Sequence, residues 1–224
     1  MIQQLFNSDS FLPERLSMIE GQLRRRGIRD ENLLRAMSEV PRHEFIPEAY
    51  WKQAYEDRPV PIGEGQTISQ PYIVAAMIAA LQVGTEDTVL EIGTGTGYQA
   101  ALLARLGKQV FTVERHAALA DEAKRLFQKL GYGNITAVTG DGSHGLPEHA
   151  PYDRIIVAAA APSIPEPLLQ QLGEGGRMII PVGSSDIQVL QLARKSGGEI
   201  FTSSLEGCRF VPLVGEGGFK PRNF

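Results

Sequence analysis

Apolar residues recur at helical spacing through 11–40. Leu12, Leu16, Ile19 and Leu23 fall on one face, and Gly27 supplies a stop. Asp30 is placed to cap a second helix carrying Leu33, Leu34, Met37 and Val40, which ends before Pro41. Periodicity is lost over 41–68, where Pro41, Pro47, Pro59 and Pro61 predict an irregular stretch. It runs into Gly63-Glu64-Gly65-Gln66-Thr67-Ile68-Ser69-Gln70-Pro71, and a helix is predicted from Pro71 to Leu81. Regular alternation follows: strand 88–92 and helix 98–106, strand 109–113 and helix 116–130 closed by Gly131, strand 135–139, strand 154–158, a short helix near 165–172, and strand 176–181. The stretch 187–214 reads as strands only, with Val189, Leu190, Leu192, Ile200, Val211 and Val214 as its β residues. Alternating strands and helices predict a mostly parallel α/β sheet with helices on both faces, and the closing strands an antiparallel edge. Without an internal repeat or long linker, 1–224 is expected to be one domain, about 1–62 being a helical addition to a core over about 63–224.

The short apolar run Thr88-Val89-Leu90 leads into Glu91-Ile92-Gly93-Thr94-Gly95-Thr96-Gly97, and the apolar helix from Tyr98 follows directly. Such a strand-loop-helix is where an open α/β sheet binds a nucleotide-like ligand, and glycines let the backbone approach it. These glycines alternate, unlike those of the dinucleotide fingerprint. Three acids fall at successive strand ends: Glu91, Glu114 and Asp141. Glu114 is placed to accept both hydroxyls of a ribose, and Asp141 to accept a hydrogen bond from an adenine amino group. A pyrophosphate site disfavours nearby acids. Glu91 on the loop suits a ligand with a cationic head, and S-adenosylmethionine, with its ammonium and sulfonium, fits. Taken singly, each acid also suits a solvated turn or a cap.

The 224 residues are 42% hydrophobic, enough for a real core. Lys plus Arg total 22 against 26 Asp plus Glu, a net charge of −4, which makes a poor generic binder of nucleic acid or anionic membrane. The cluster Arg24-Arg25-Arg26 reads as a solvated helix face. Cys208 is the only cysteine, which suits a reducing compartment. No signal-peptide pattern and no apolar run of transmembrane length is found, so a cytoplasmic location is expected, where the acceptor pattern Asn134-Ile135-Thr136 stays unused. His43, His116, His144 and His149 lack metal-ligand spacing and are expected at the surface or at helix ends, with no metal.

The chain resembles the protein-L-isoaspartate O-methyltransferases. The resemblance rests on Gly63 to Pro71, on Val89 to Tyr98, on Gly140-Asp141-Gly142, on Tyr152 to Pro162 and on Arg209-Phe210-Val211-Pro212-Leu213. It implies a Rossmann-like S-adenosylmethionine-dependent methyltransferase fold. It also implies methyl transfer to the free α-carboxylate of L-isoaspartyl residues, with S-adenosylhomocysteine as product. The ester would then close to a succinimide, initiating repair. Damaged proteins and peptides would be the partners, with no nucleic acid or membrane, and the chain would be a monomer. Gly93, Thr94, Gly95, Gly97 and Gly142 would bind cofactor with the three acids. Thr67, Ile68, Gln70, Val211 and Pro212 would bind substrate, with Ser69 catalytic. An α-carboxylate has a pKa of roughly 3.5, so no general base is needed, and Ser69 is expected to orient it by a hydrogen bond. By residue type alone Ser69 also suits a helix cap, Thr67 and Gln70 a turn, and Val211 either an edge that pairs with substrate backbone or an ordinary strand edge. A dehydrogenase is disfavoured because no Tyr is followed four residues later by Lys. A methyltransferase for another acceptor and a module that only binds S-adenosylmethionine are disfavoured by the Ser69 loop.

Overall fold

A computed structural model describes residues 10–220; the start of the chain, read above for a signal-peptide pattern, lies outside them. A seven-stranded sheet has the order β5-β4-β3-β6-β7-β8-β9. Its strands are β3 (Thr88–Ile92), β4 (Gln109–Glu114), β5 (Ile135–Thr139), β6 (Tyr152–Val157), β7 (Leu172–Gly183), β8 (Gln188–Ser196) and β9 (Glu199–Cys208). Neighbours from β5 through to β7 pair in parallel, while β7–β8 and β8–β9 are antiparallel. The last three strands therefore lie side by side in chain order, an arrangement the sequence alone left open. Residues 209–214 are not part of them. That segment crosses the sheet's end instead, where Val211 accepts from the Ala160 amide at 2.8 Å and Leu213 donates to the Ala160 carbonyl at 2.7 Å.

The connecting helices are α3 (Pro71–Leu81), α4 (Tyr98–Leu106), α5 (Ala117–Leu130) and α6 (Glu166–Gln171), preceded by α1 (Leu12–Met18) and α2 (Glu31–Glu39). Side chains alternate across β6 and β7. Ile156 and Ile179 join a cluster with α3, α4 and the N-terminal helices, whereas Ile155 and Met178 pack on the opposite face with Leu168 of α6. The chain winds outward from β3 through β4 to β5, then returns to β6 on the other side of β3. That reversal opens a crevice at the carboxyl ends of β3 and β6.

The N-terminal layer departs from its predicted face. Leu12 and Leu16 are 37% and 47% exposed, and the buried face is Arg15, Met18, Ile19 and Leu23. After α1 the helix widens to a π-helical stretch at Ile19–Leu23 and tightens to a 3-10 turn at Arg24–Arg26, which rotates the apolar face between its halves. Gly27 stops it as expected, in the left-handed region at φ 94°. Arg24 and Arg26 are more engaged than a bare solvated face, pairing with Glu31 and Asp57 at 2.6 Å each. Asp30 caps α2, accepting from the Asn32 and Leu33 amides at 3.0 and 3.1 Å. The stretch 41–68 is ordered: 3-10 turns at Arg42–Phe45 and Glu48–Gln53 lead to a hairpin of β1 (Val60–Gly63) and β2 (Gln66–Ile68). Turns of four and six residues and strands of four and three are too short to leave a periodicity.

Met18, Ile19, Leu23, Leu33 and Met37 are fully buried in the same cluster as Met77 and Leu103. At about 2 kcal/mol for each such side chain, these five contribute on the order of 10 kcal/mol, as much as a whole domain's net stability. The layer belongs to the core it covers, and the expected boundary near 62 falls inside β1.

Candidate active site

The glycine loop lies at the mouth of the crevice. Gly93, Thr94 and Gly95 line a cavity of about 140 Å³, together with Val113 and Glu114 at the end of β4, Gly142 after β5, and Ala158 and Ala159 after β6. A Cβ on Gly93 would meet Ala158 at 3.4 Å, an ordinary contact; the left-handed φ of 94° is what favours glycine there. Gly97 has a different task. It does not line the cavity; it caps α4 at φ 92°, and a Cβ there would meet the Phe127 ring at 2.5 Å. The third glycine lets α4 and α5 pack.

The three acids separate. Glu114 is the one that faces the cavity, and its carboxylate accepts from the Gly95 and His116 amides at 2.9 Å each, which fixes the loop's shape. Glu91 does not reach the ligand space. Strand alternation sends Ile92 toward the cavity and Glu91 to the other side, opposite its register partner Thr112. There Glu91 accepts from Thr112 Oγ1 at 2.5 Å, and Thr112 Oγ1 contacts Thr94 Oγ1 at 2.6 Å, a buried chain under the loop. Glu91 Oε1 and the Gln99 amide nitrogen make no hydrogen bond of good geometry to the described residues, although Gln99 lies near enough to favour the anion. Burial pushes the Glu91 pKa up to about 8, against the favourable pull of Thr112 and Gln99 and with Glu114 adding to the rise. The expected cation-holding carboxylate is a largely protonated side chain at neutral pH.

Asp141 does not line this cavity but an adjoining one, with Arg115, Gly140 and Val214. Its Oδ1 accepts from the Ser143 amide and hydroxyl at 2.9 and 2.8 Å, and its Oδ2 from the Glu216 amide at 3.0 Å. This carboxylate caps the turn at 142–144 and holds the C-terminal segment, leaving Gly142 as the residue that meets the cavity.

The Ser69 loop forms the roof. Thr67, Ile68 and Ser69 line the cavity from above, beside Val211 and Pro212. A second cleft opens on the far side of the loop, lined by Gln70, Tyr72, Arg209 and again by Thr67, Ser69, Ala158, Val211 and Pro212. These five residues are the wall between the two spaces. Ser69 does not cap α3, whose N-cap is Gln70 and which has no side-chain cap. Its carbonyl accepts from Arg42 Nη2 at 2.7 Å, and its hydroxyl makes no hydrogen bond to the described residues.

A family model described as protein-L-isoaspartate(D-aspartate) O-methyltransferase matches residues 14–218. The chain belongs to this family. A protein-L-isoaspartate O-methyltransferase of Koribacter versatilis is 56% identical over 94% of this chain and 95% of its own length. One of Methanoculleus marisnigri is 53% identical over 92% and 94%. A solved protein-L-isoaspartate O-methyltransferase superposes with a TM-score of 0.81 at 34% identity, covering 91% of this chain and 67% of that one. A Plasmodium falciparum structure, described as a family member in complex with S-adenosyl-L-homocysteine, gives 0.76 at 28% identity, covering 89% and 98%.

The residues present fit the cofactor of this methyltransferase family. Ile92, Val113 and Leu213 give the cavity apolar walls, the glycine loop brings backbone to its edge, and Glu114 places a carboxylate at the end of β4. Among the described residues no group of three or more His, Cys, Asp or Glu is arranged to hold a metal. Of the histidines, His116 is the N-cap of α5, lines the cavity and lies 3.6 Å from Glu64. His144 and His149 are exposed, near Glu216 at 3.1 Å and stacked on Phe111 at 4.1 Å. His43 breaks the surface expectation: the turn after Pro41 points it inward, 2.8 Å from the Tyr55 hydroxyl and against Phe11 and Trp51. No sequence signal marks Arg42 or Gln99, which lie in an unpatterned turn and an apolar helix. The run Ala158 to Ala161 did carry a signal, because small residues just past a strand mark close approach.

Proposed function

We propose that this chain transfers the methyl group of S-adenosylmethionine to the free α-carboxylate of L-isoaspartyl residues in proteins and peptides, with Ser69 orienting that carboxylate. The observation that carries this reading is the position of Ser69 on the wall shared by the cofactor cavity and the second cleft, with its hydroxyl uncommitted. Bound S-adenosylmethionine would supply a sulfonium-activated methyl: a carboxylate oxygen would bond to the methyl carbon as the carbon–sulfur bond breaks and S-adenosylhomocysteine leaves, with no proton to move. The protein's work is therefore to bind and align. Gly93, Thr94, Gly95, Glu114 and Gly142 form the cofactor side, and Thr67, Ile68, Gln70 and Pro212 the substrate side. Ser69 donates to one carboxylate oxygen and leaves the other to attack. Excluding water from the wall favours a step in which opposite charges cancel. Val211, whose carbonyl serves Ala160, stands with Pro212 on the substrate side. Acting on damaged proteins in the cytoplasm, as a monomer, is part of the same reading.

Labelled S-adenosylmethionine incubated with paired peptides containing isoaspartate or aspartate tests it. Base-labile label is expected on the isoaspartyl peptide alone. Ser69→Ala is expected to cut turnover sharply while S-adenosylhomocysteine affinity survives; unchanged turnover removes Ser69 from the mechanism.

A further inference from the structure

Beneath the Ser69 loop lies a cation that the chemistry above does not use. Arg42 is 0% exposed. Its Nε donates to the Ala54 carbonyl at 2.7 Å and its Nη2 to the Ser69 carbonyl at 2.7 Å, while Nη1 has no hydrogen bond. Its Cζ lies 4.9 Å from the centre of the Tyr98 ring. Burial lowers the Arg42 pKa, opposed by Tyr98, Tyr55 and Asp57, and among the described residues no carboxylate bonds the guanidinium. A buried cation without an acid partner is a poor device for stability, since an apolar residue of similar volume would cost less. Its contacts nevertheless join three parts. Ala54 belongs to the N-terminal layer, Tyr98 is the first residue of the helix after the glycine loop, and Ser69 is the roof.

We propose that Arg42 is a positioning residue for methyl transfer: its guanidinium fixes the Ser69 backbone, and with it the hydroxyl, relative to the glycine loop below. This rests on the role given to Ser69 above. A planar fork holds two carbonyls at once in fixed directions, whereas a lysine ammonium is a single point charge on a flexible stem. Arg42→Lys therefore keeps the charge and loses the geometry.

The test compares Arg42→Lys, Ser69→Ala and the double variant by kcat and KM on an isoaspartyl peptide, by S-adenosylhomocysteine affinity and by thermal midpoint. Arg42→Lys is expected to lower kcat by about tenfold or more, because displacement of an orienting group by a fraction of an ångström is enough. KM and S-adenosylhomocysteine affinity should stay within about twofold. In the Ser69→Ala background the same change should cost less than about twofold in kcat, since the positioned group is gone. Equal losses in both backgrounds, or a kcat loss that tracks S-adenosylhomocysteine affinity, overturn the proposal and leave Ser69 its role. Wild-type turnover in Ser69→Ala removes the Ser69 reading, and this one with it. Should Arg42→Lys not fold, Arg42→Gln, with an amide that reaches one carbonyl, carries the same cycle. Failure of both to fold assigns Arg42 to stability and overturns the proposal.

Discussion

Replacing Glu91 by glutamine separates charge from shape at a buried position. The carboxyl is enclosed under the glycine loop, and its pKa is raised by burial from 4.5 to about 8. The unfolded chain gives up this proton near pH 4.5 and the folded one near pH 8. Between these values the folded state binds more protons, so stability falls as pH rises. The contribution is fully present below 4.5 and is lost as pH climbs through about 8. One proton over about 2.5 pH units, at roughly 1.4 kcal/mol each, removes about 3 kcal/mol by pH 7. Glutamine has the same shape, can accept from Thr112 and does not ionise. Glu91→Gln should therefore gain on the wild type by about 3 kcal/mol between pH 4.5 and 7, a relative rise in midpoint of about 6–12 °C for a chain of this size. Urea denaturation at half-unit pH steps measures it. Curves for the two proteins that stay parallel from pH 5 to 8 would refute the reasoning and place an ionised Glu91 in the folded state.

Other positions give simpler outcomes. Asp30→Ala removes the acceptor for two amides of α2 and should cost about 1 kcal/mol, a drop of about 2–4 °C in the midpoint, with turnover at 25 °C unchanged; calorimetry and the peptide assay read both. Gly97→Ala combines a left-handed backbone with a Cβ driven into Phe127, and should lose more than about 2 kcal/mol by urea denaturation.

Much of the fold could be read in advance because its signals are local. Gly27 and Gly131 end helices in the left-handed region, and Asp30 caps with its own side chain. The runs in β3, β4 and β6 are apolar because both faces of those strands are covered. What failed depends on distant partners. Leu12 and Leu16 fit a helical stripe that the π-helical stretch at Ile19–Leu23 then rotates. The β1–β2 hairpin is too short to announce itself. In the site, the glycine loop, Glu114, Gly142 and the Ser69 loop come together as their motifs suggest. Glu91 and Asp141 stand at the right strand ends, yet the strand's alternation turns one inward and a cap holds the other aside. Nothing near Pro41 marks Arg42 as buried, because the carbonyl of Ser69 that it holds lies 27 positions along the chain.

The clamp on Asp141 bears on the enzyme's own ageing. Asp-Gly is the kind of dipeptide that isomerises when the following amide nitrogen attacks the side-chain carbonyl, aided by a glycine that leaves the backbone free to bend. Partial burial would raise the Asp141 pKa, but the Ser143 and Glu216 hydrogen bonds and nearby His144 outweigh it and hold the carboxyl below its usual value. An anion pinned by three donors is a weak electrophile and cannot swing onto its neighbour. A repair catalyst of this class thus shelters its own vulnerable link from the lesion it exists to reverse.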